Sequence, residues 1–446
     1  RQDSNVAAVD QIVKIELEQY YDEKTLLGRH VIFDSTNVEE IVDEAPSITG
    51  VGNHTIKVGA AFDPLDGVKA TDKEDGDLTS KIQIDGTIDN EKPGEYTLIY
   101  SVEDSKNNKT TVNRVIKVVE PSSFGVGQGI KWPKQVMAPF ADMSAYVSTG
   151  NYGNNGAPNL EKISQESDIK YFNLGFIQAK NIDNGEINWA WGGYTGLNEK
   201  ENEGWQYEGI KKSIRDLRKS GGDIAVSFGG LNSGAFWEKT QDVDTLYKAY
   251  SEIVEGYGLT RVDFDVEAGA MGYQHNVANA KAVKRLQDET GISTTLTLPV
   301  MNTGLISTGL DVLRAYLEEG VNLDMVNIMT MVYGSSVPDY AVGSVQAMDN
   351  TKDQLKEYYR KYSNITLTDQ QAYAKLGVTT SIGFESSDHP YFSVKDMDLV
   401  VKHAIQKNIG MMSFWSINRD TKIDGGAGQV ENKYEFSAIA NQFKSK

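Results

Sequence analysis

The chain has 446 residues, 39% of them hydrophobic and 24% charged, with a formal net charge of −19 and no cysteine. That acidity excludes nucleic acid and anionic membranes as partners. The missing cysteines exclude disulfide and thiol chemistry, and no apolar run is long enough to insert into a membrane. A neutral polymer would not be repelled. No signal-peptide pattern opens the sequence, so a mature or trimmed chain is expected.

Residues 1–44 fit no element pattern; Val6 to Tyr21 suits a helix or a strand equally weakly. From 45 to 120 the chain alternates in short stretches, His54 to Val58, Glu95 to Val102 and Thr111 to Val119. Turn pairs separate them: Asp66-Gly67, Asp75-Gly76, Asp85-Gly86 and Pro93-Gly94. With no helical period there, a small all-β sandwich of immunoglobulin-like size is predicted. The acidic turns suit either Ca2+ binding or plain turn formation, and exposed turn aspartates are more often the latter. Residues 121–134, rich in Gly and Pro, are predicted to be a linker.

The rest, 135–446, has the strand–helix alternation of an α/β (β/α)8 TIM barrel. Eight strands are predicted: Val136 to Phe140, Tyr171 to Ile177, Asp223 to Gly230, Arg261 to Glu267, Thr294 to Val300, Asp324 to Tyr333, Leu376 to Phe384 and Gly410 to Trp415. Helical patterns such as Gly209 to Arg218 and Val394 to Lys407 separate most of them.

The fourth strand carries the chemistry. In Arg261-Val262-Asp263-Phe264-Asp265-Val266-Glu267 the acids recur at every second position, so all three share one face of a strand. In a barrel the apolar face meets the helices and the acids point inward, the last of them at the C-terminal rim where such barrels work. Three inward carboxyls cost too much desolvation to serve stability alone. Residues two apart lie roughly 6.6 Å apart along a strand, so neighbouring acids can share a proton and raise one pKa. Side by side on one strand, they do not face each other across a substrate as a paired nucleophile and acid would.

These residues resemble a known family. Asp263-x-Asp265-x-Glu267, Ser227-x-Gly229-Gly230, Met331-x-Tyr333 and Trp415-Ser416-Ile417-Asn418-Arg419-Asp420 are similar to the signature strands of glycoside hydrolase family 18, the bacterial chitinases above all. The resemblance implies Glu267 as general acid, Asp265 as the residue orienting the substrate's acetamido group, and that group as nucleophile. It implies Tyr333 as donor to the acetamido oxygen, Trp415 as pocket floor and Ser227 as partner of Asp263. Two departures stand out. Thr260 and Arg261 replace the usual Asp-Gly, and Val332 stands where relatives carry Asp, with a parity that points it away from the pocket. The seventh strand's end, Phe384-Glu385-Ser386, also differs. Upstream, Ala70-Thr71-Asp72-Lys73-Glu74-Asp75-Gly76-Asp77 resembles an Ig-like repeat of bacterial surface and secreted proteins.

The expected protein is a secreted or cell-surface, Gram-positive-like, monomeric hydrolase of β-1,4-linked N-acetylglucosamine. It would need no metal or cofactor, would retain configuration, and would use the substrate's own acetamido group. An endo-β-N-acetylglucosaminidase acting on N-glycans and a non-catalytic chitin-binding lectin remain alternatives. The expected catalytic set is Glu267, Asp265, Tyr333 and Asp263. The expected substrate-binding set is Trp415, Met331, Ser227, Asp142 and Trp191. For the cluster Trp189, Trp191, Tyr194 and Trp205, loop self-packing and sugar stacking are nearly equal readings.

Overall fold

The computed structural model describes residues 15–21, 26–33, 43–119, 123–147, 152–201, 205–384, 390–421 and 430–443, and the chain forms two compact units. In the N-terminal unit, Ile15–Tyr21 pairs antiparallel with Leu26–Phe33, so part of the region without a sequence pattern is strand. Ser47–Thr49, Lys69–Asp72 and Gly76–Asp77 form one antiparallel sheet, and Gln83–Asp85 pairs with Gly94–Glu103 in another. Ala70, Leu78 and Val102 bury a small core with Ile48 and Ile82 packed against it. The acidic turns are capped: Asp72 accepts the amides of Glu74 and Asp75, and Asp104 those of Lys106 and Asn108. A short carboxylate that hydrogen-bonds its own following backbone is a turn former.

The second unit holds eight parallel strands: β1 (residues 136–142, paired as Val136–Met137 and Phe140–Asp142), β2 Tyr171–Asp183, β3 Asp223–Gly229, β4 Arg261–Asp265, β5 Ser293–Met301, β6 Met325–Thr330, β7 Leu376–Ser381 and β8 Met411–Trp415. A principal helix follows each in turn: α1 Leu160–Ser167, α2 Trp205–Lys219, α3 Val243–Gly256, α4 Tyr273–Thr290, α5 Ser307–Glu318, α6 Tyr340–Ser363, α7 Val394–Lys407 and α8 Glu435–Ala440. The start of β1 pairs with β8 at Met411 and Met412, and its end pairs with β2 from Asn173 to Gly175. One strand joins both ends of the sheet, and the barrel closes. The expected α/β barrel behind an all-β module is what the chain adopts.

Period two decides which side chains meet the helices. Phe228 on β3 and Phe264 on β4 stack at 5.5 Å and pack on Tyr250 of α3. Ser227 and Asp263, one residue before each, therefore face the interior. Beyond the barrel wall β2 continues into a hairpin with Glu186–Trp191. Its turn is Asn184-Gly185, where both residues take positive φ (51° and 77°), the geometry an Asn-Gly pair adopts most cheaply.

The expected linker is not free chain. Its described part, residues 123–134, lies along the N-terminal ends of the barrel strands. Phe124 N donates to Gly256 O at 3.0 Å and Gly129 N to Gly258 O at 2.9 Å. Asp223, fully buried at the start of β3, accepts from Ile130 N (3.0 Å), Trp132 Nε1 (2.9 Å) and Arg218 Nε (2.8 Å). The glycines that suggested flexibility let this strap follow the surface closely. Trimming to residue 135 therefore strips two of three donors from a buried carboxylate, which is costly. A chain beginning at 123 is expected to melt like the intact barrel, and one beginning at 135 lower by roughly 5 °C or more. Calorimetry of both fragments checks this.

Candidate active site

A cavity of about 660 Å³ opens at the C-terminal ends of the strands, with Asp265, Glu267, Gln178, Met331, Trp415 and Arg419 among its lining residues. β4 itself ends at Asp265, but Glu267 stays extended (φ −130°, ψ 164°), so the alternation carries through. The three acids keep one face, rising from the interior to the rim.

Their environments differ by depth. Asp263 is buried below the cavity and accepts from Ser227 Oγ at 2.5 Å and Thr297 Oγ1 at 2.6 Å. Asn327 Nδ2 donates to Thr297 Oγ1 (3.0 Å), and Thr379 Oγ1 donates to Asn327 Oδ1 (2.9 Å). Donors on β3, β5, β6 and β7 thus form a belt inside the barrel that ends on Asp263, and such a chain polarises each bond in it. Burial pushes Asp263 up to about 6, opposed by its two hydroxyl partners and by Arg261. Asp265 is held well above the carboxylate range by burial, by Glu267 and by Asp263. Burial raises Glu267 to about 7, opposed by its hydrogen bond to Asp265. Asp265 and Glu267 therefore share a proton at neutral pH and titrate as a pair.

Backbone packing keeps that pair in place. Gly229 has φ +101°, and a Cβ there would meet Asp265 O at 2.2 Å. Gly230 N donates to the same carbonyl at 3.0 Å. Gly229 is thus required by close approach to the acidic strand, whereas a Cβ on Gly230 would meet the Phe176 ring at 2.9 Å.

The expected site residues separate into those that reach the cavity and those that do not. Asp265, Glu267, Met331, Trp415 and Asp142 line it. Trp415 stacks on Phe176 at 5.6 Å and 16°, a flat aromatic floor. Asp142 Oδ1 accepts from Ser144 N, Ser144 Oγ and Ala145 N, capping the turn after β1. Asp263 and Ser227 sit one layer lower and support Asp265 without reaching the cavity. Trp191 is corrected outright: it is fully buried and its Nε1 donates to Tyr257 Oη at 2.9 Å. Of its aromatic cluster Trp189 is also core, Tyr194 is exposed and lines the cavity, and Trp205 is exposed with its ring edge-on to Tyr146.

Tyr333 is the larger correction. The sixth strand was expected to run through it, but β6 ends at Thr330, and Val332 takes a left-handed φ of +54°. That kink breaks the alternation. Val332 is 56% exposed and lines the cavity, whereas Tyr333 is 3% exposed, outside the lining, with its ring edge-on to Tyr340 at 5.2 Å. Its hydroxyl is buried beside the hydroxyls of Ser344 and Thr330. A β-branched residue in the left-handed region is strained, which no parity count along an assumed strand reveals.

Several lining residues escaped the sequence reading: Phe176, Gln178, Leu231, Asn232, Thr379 and Arg419. Parity alone would have found Gln178, since it shares a strand face with Phe176. Arg419 Nη1 donates to Ser381 Oγ at 2.7 Å, a meeting of two strand ends with no local signal. Glu385 and Ser386 lie outside the described residues. Among the described residues no three His, Cys, Asp or Glu side chains are grouped to hold a metal.

Two outcomes follow from this geometry. Tyr333→Phe should keep kcat within about threefold, because its ring packs on Tyr340 outside the cavity lining; a donor to developing charge would cost about a hundredfold. Steady-state kinetics on chitooligosaccharides decides between them. Folding raises Glu267 from 4.5 to about 7, so between those values the folded chain keeps a proton that the unfolded chain has lost. Stability from this group is full below the lower value and lost as pH rises through the upper one. Glu267→Gln, which cannot ionise, should therefore gain in melting temperature over the parent as pH goes from about 5 to about 8, as thermal melts at both values would register.

The N-terminal module matches the family "Bacterial surface protein, Ig-like domain" over residues 46–118. The chain is 30% identical over 335 residues to a probable bifunctional chitinase/lysozyme of Escherichia coli K12, covering 70% of this chain and 35% of that protein. It is 30% identical over 304 residues to Endochitinase 11 of Metarhizium anisopliae, covering 65% of this chain and 53% of that one. It thus spans between a third and about half the length of these relatives. The catalytic domain of a hyperthermophilic chitinase from Pyrococcus furiosus superposes with a TM-score of 0.59 at 25% identity, covering 71% of this chain and 97% of that domain. The chain carries a bacterial surface Ig-like domain, followed by a barrel whose homologues and structural neighbours are glycoside hydrolase family 18 chitinases.

Proposed function

We propose that this chain hydrolyses β-1,4 bonds between N-acetylglucosamine units of chitin or its oligomers, and does so as a secreted or surface-held monomer of a Gram-positive-like bacterium. The observation that carries this reading is the Asp265–Glu267 pair, sharing a proton at the mouth of a cavity floored by Trp415. The names of the relatives, chitinases all, favour chitin over N-glycans. The bacterial surface Ig-like domain supports export, and no helix among the described residues is long and apolar enough to cross a membrane.

Glu267 gives the proton it shares with Asp265 to the glycosidic oxygen as the bond to the anomeric carbon breaks. Both working acids lie on one strand, so neither stands across the sugar as a nucleophile. The acetamido oxygen of the substrate attacks the anomeric carbon from the opposite face and closes an oxazolinium ring. Asp265 accepts a hydrogen bond from the acetamido N–H and balances the positive charge that develops there. The Glu267 carboxylate then takes a proton from water, whose oxygen opens the ring, so the β-configuration is retained. Tyr333 has no part in these steps.

Glu267→Gln keeps the shape of the acid without its proton and should lower kcat by about 10²–10⁴-fold while sugars still bind. NMR of fresh product from chitotetraose should show the β-anomer first, and a thiazoline mimic of the cyclic intermediate should inhibit. An initial α-anomer, or rapid cleavage where the reacting sugar is glucosamine, would overturn the acetamido mechanism.

A further inference from the structure

Gln178 lies on β2 in the cavity wall and is 6% exposed. Its Nε2 donates to Gly229 O at 2.8 Å and to Asn232 O at 3.0 Å. Both partners are carbonyl oxygens, which only accept, so the amide has a single sensible orientation: a flip would set Oε1 against two acceptors. Nε2 is thereby saturated and Oε1 is committed to the other side. No described residue donates to Oε1, yet it is not among the sealed, unpartnered polar atoms of the chain.

The surroundings hold this oxygen still and keep the space before it open. A Cβ on Gly234 would stand 2.9 Å from Gln178 Cβ, so the stem is packed tightly on that side. Toward Gly193, next to the cavity-lining Gly192, an added Cβ would lie 3.7 Å from Oε1, an ordinary contact without a clash. A neutral acceptor with a fixed rotamer, desolvated apart from one open direction, suits a neutral donor. On an N-acetylglucosamine unit the neutral donors are ring hydroxyls and the acetamido N–H, and at the reacting sugar Asp265 takes the N–H.

We infer that Gln178 is a substrate-reading residue whose Oε1 accepts a hydrogen bond from one ring hydroxyl of a bound N-acetylglucosamine unit; this rests on the glycosidase reading of the cavity. The same side chain also straps the loop 229–234 to β2, and that loop bonds the backbone of Asp265 through Gly230. A purely structural strap is thus the competing explanation, and the test must separate the two.

The experiment is a cycle between protein and substrate. Parent enzyme and Gln178→Met are assayed on chitotetraose and on analogues lacking the 3- or 6-hydroxyl of a single unit. Removing the hydroxyl that Oε1 reads leaves a buried acceptor unpaired, so one analogue should lower kcat/KM of the parent by about tenfold to a hundredfold. Gln178→Met should lower it comparably on chitotetraose and lose nothing further on that same analogue. Losses that multiply for every analogue mean a strap alone and overturn the inference, as does a parent that tolerates every analogue within about threefold. The second result needs no variant, so it stands even if Gln178→Met fails to fold. A parent that cleaves no chitooligosaccharide at all overturns the glycosidase reading first.

Discussion

The structure depends on one costly arrangement: two carboxyl groups, Asp265 and Glu267, held side by side out of water on a single strand. Among the described residues no cation is a cause of either group's shift; the pair is kept from ionising fully by burial and by each other. Isolated buried charge would be paid for by unfolding or by neutralisation, and here a shared proton supplies the neutralisation. The result is an acid able to protonate a leaving group near neutral pH, a task an exposed glutamate performs poorly.

Everything beneath the pair serves to keep it there. Asp263 takes two hydroxyl donors, and the chain of donors behind Thr297 reaches as far as β7, so five strands contribute to the floor of one site. Because Asp263 is saturated with donors, it presents negative charge to Asp265 and helps hold the proton above. Gly229, the last residue of β3, lets that strand end lie flush with the backbone of Asp265. A barrel suits this purpose because its interior admits polar side chains from several strands while the outer face of each packs on helices.

The opposite end of the barrel has its own polar anchor. Asp223, under β3, gathers Arg218 from α2 and two donors from the segment before β1. Segment 123–134 is thereby part of the barrel's base, and Arg261, stacked over Trp132 at 5.0 Å, joins the same floor. The departure at Arg261 thus lies at the strand start, far from the rim, with a packing role that a glycine could not fill.

The amino-acid sequence alone determined the α/β barrel, the all-β module before it and the acidic strand, because each is written in local periodicity: acids and apolar residues at period two, helices between, Gly-turn pairs in the sandwich. Near-neighbour relations also came through, such as Ser227 beneath Asp263 and Trp415 at the rim, since parity within a regular strand is a local property. What failed was parity carried past a strand's end. β6 stops three residues earlier than its apolar pattern suggests, and the left-handed turn at Val332 sends Tyr333 into α6 and brings Val332 to the cavity. Trp191 failed for a related reason: whether an aromatic on a hairpin faces sugar or core depends on Tyr257, sixty-six residues away. Arg419 and the strap along the barrel's base were decided only by the tertiary structure. Their roles come from carbonyls, hydroxyls and carboxylates brought near by barrel closure, and closure leaves no local mark in the chain.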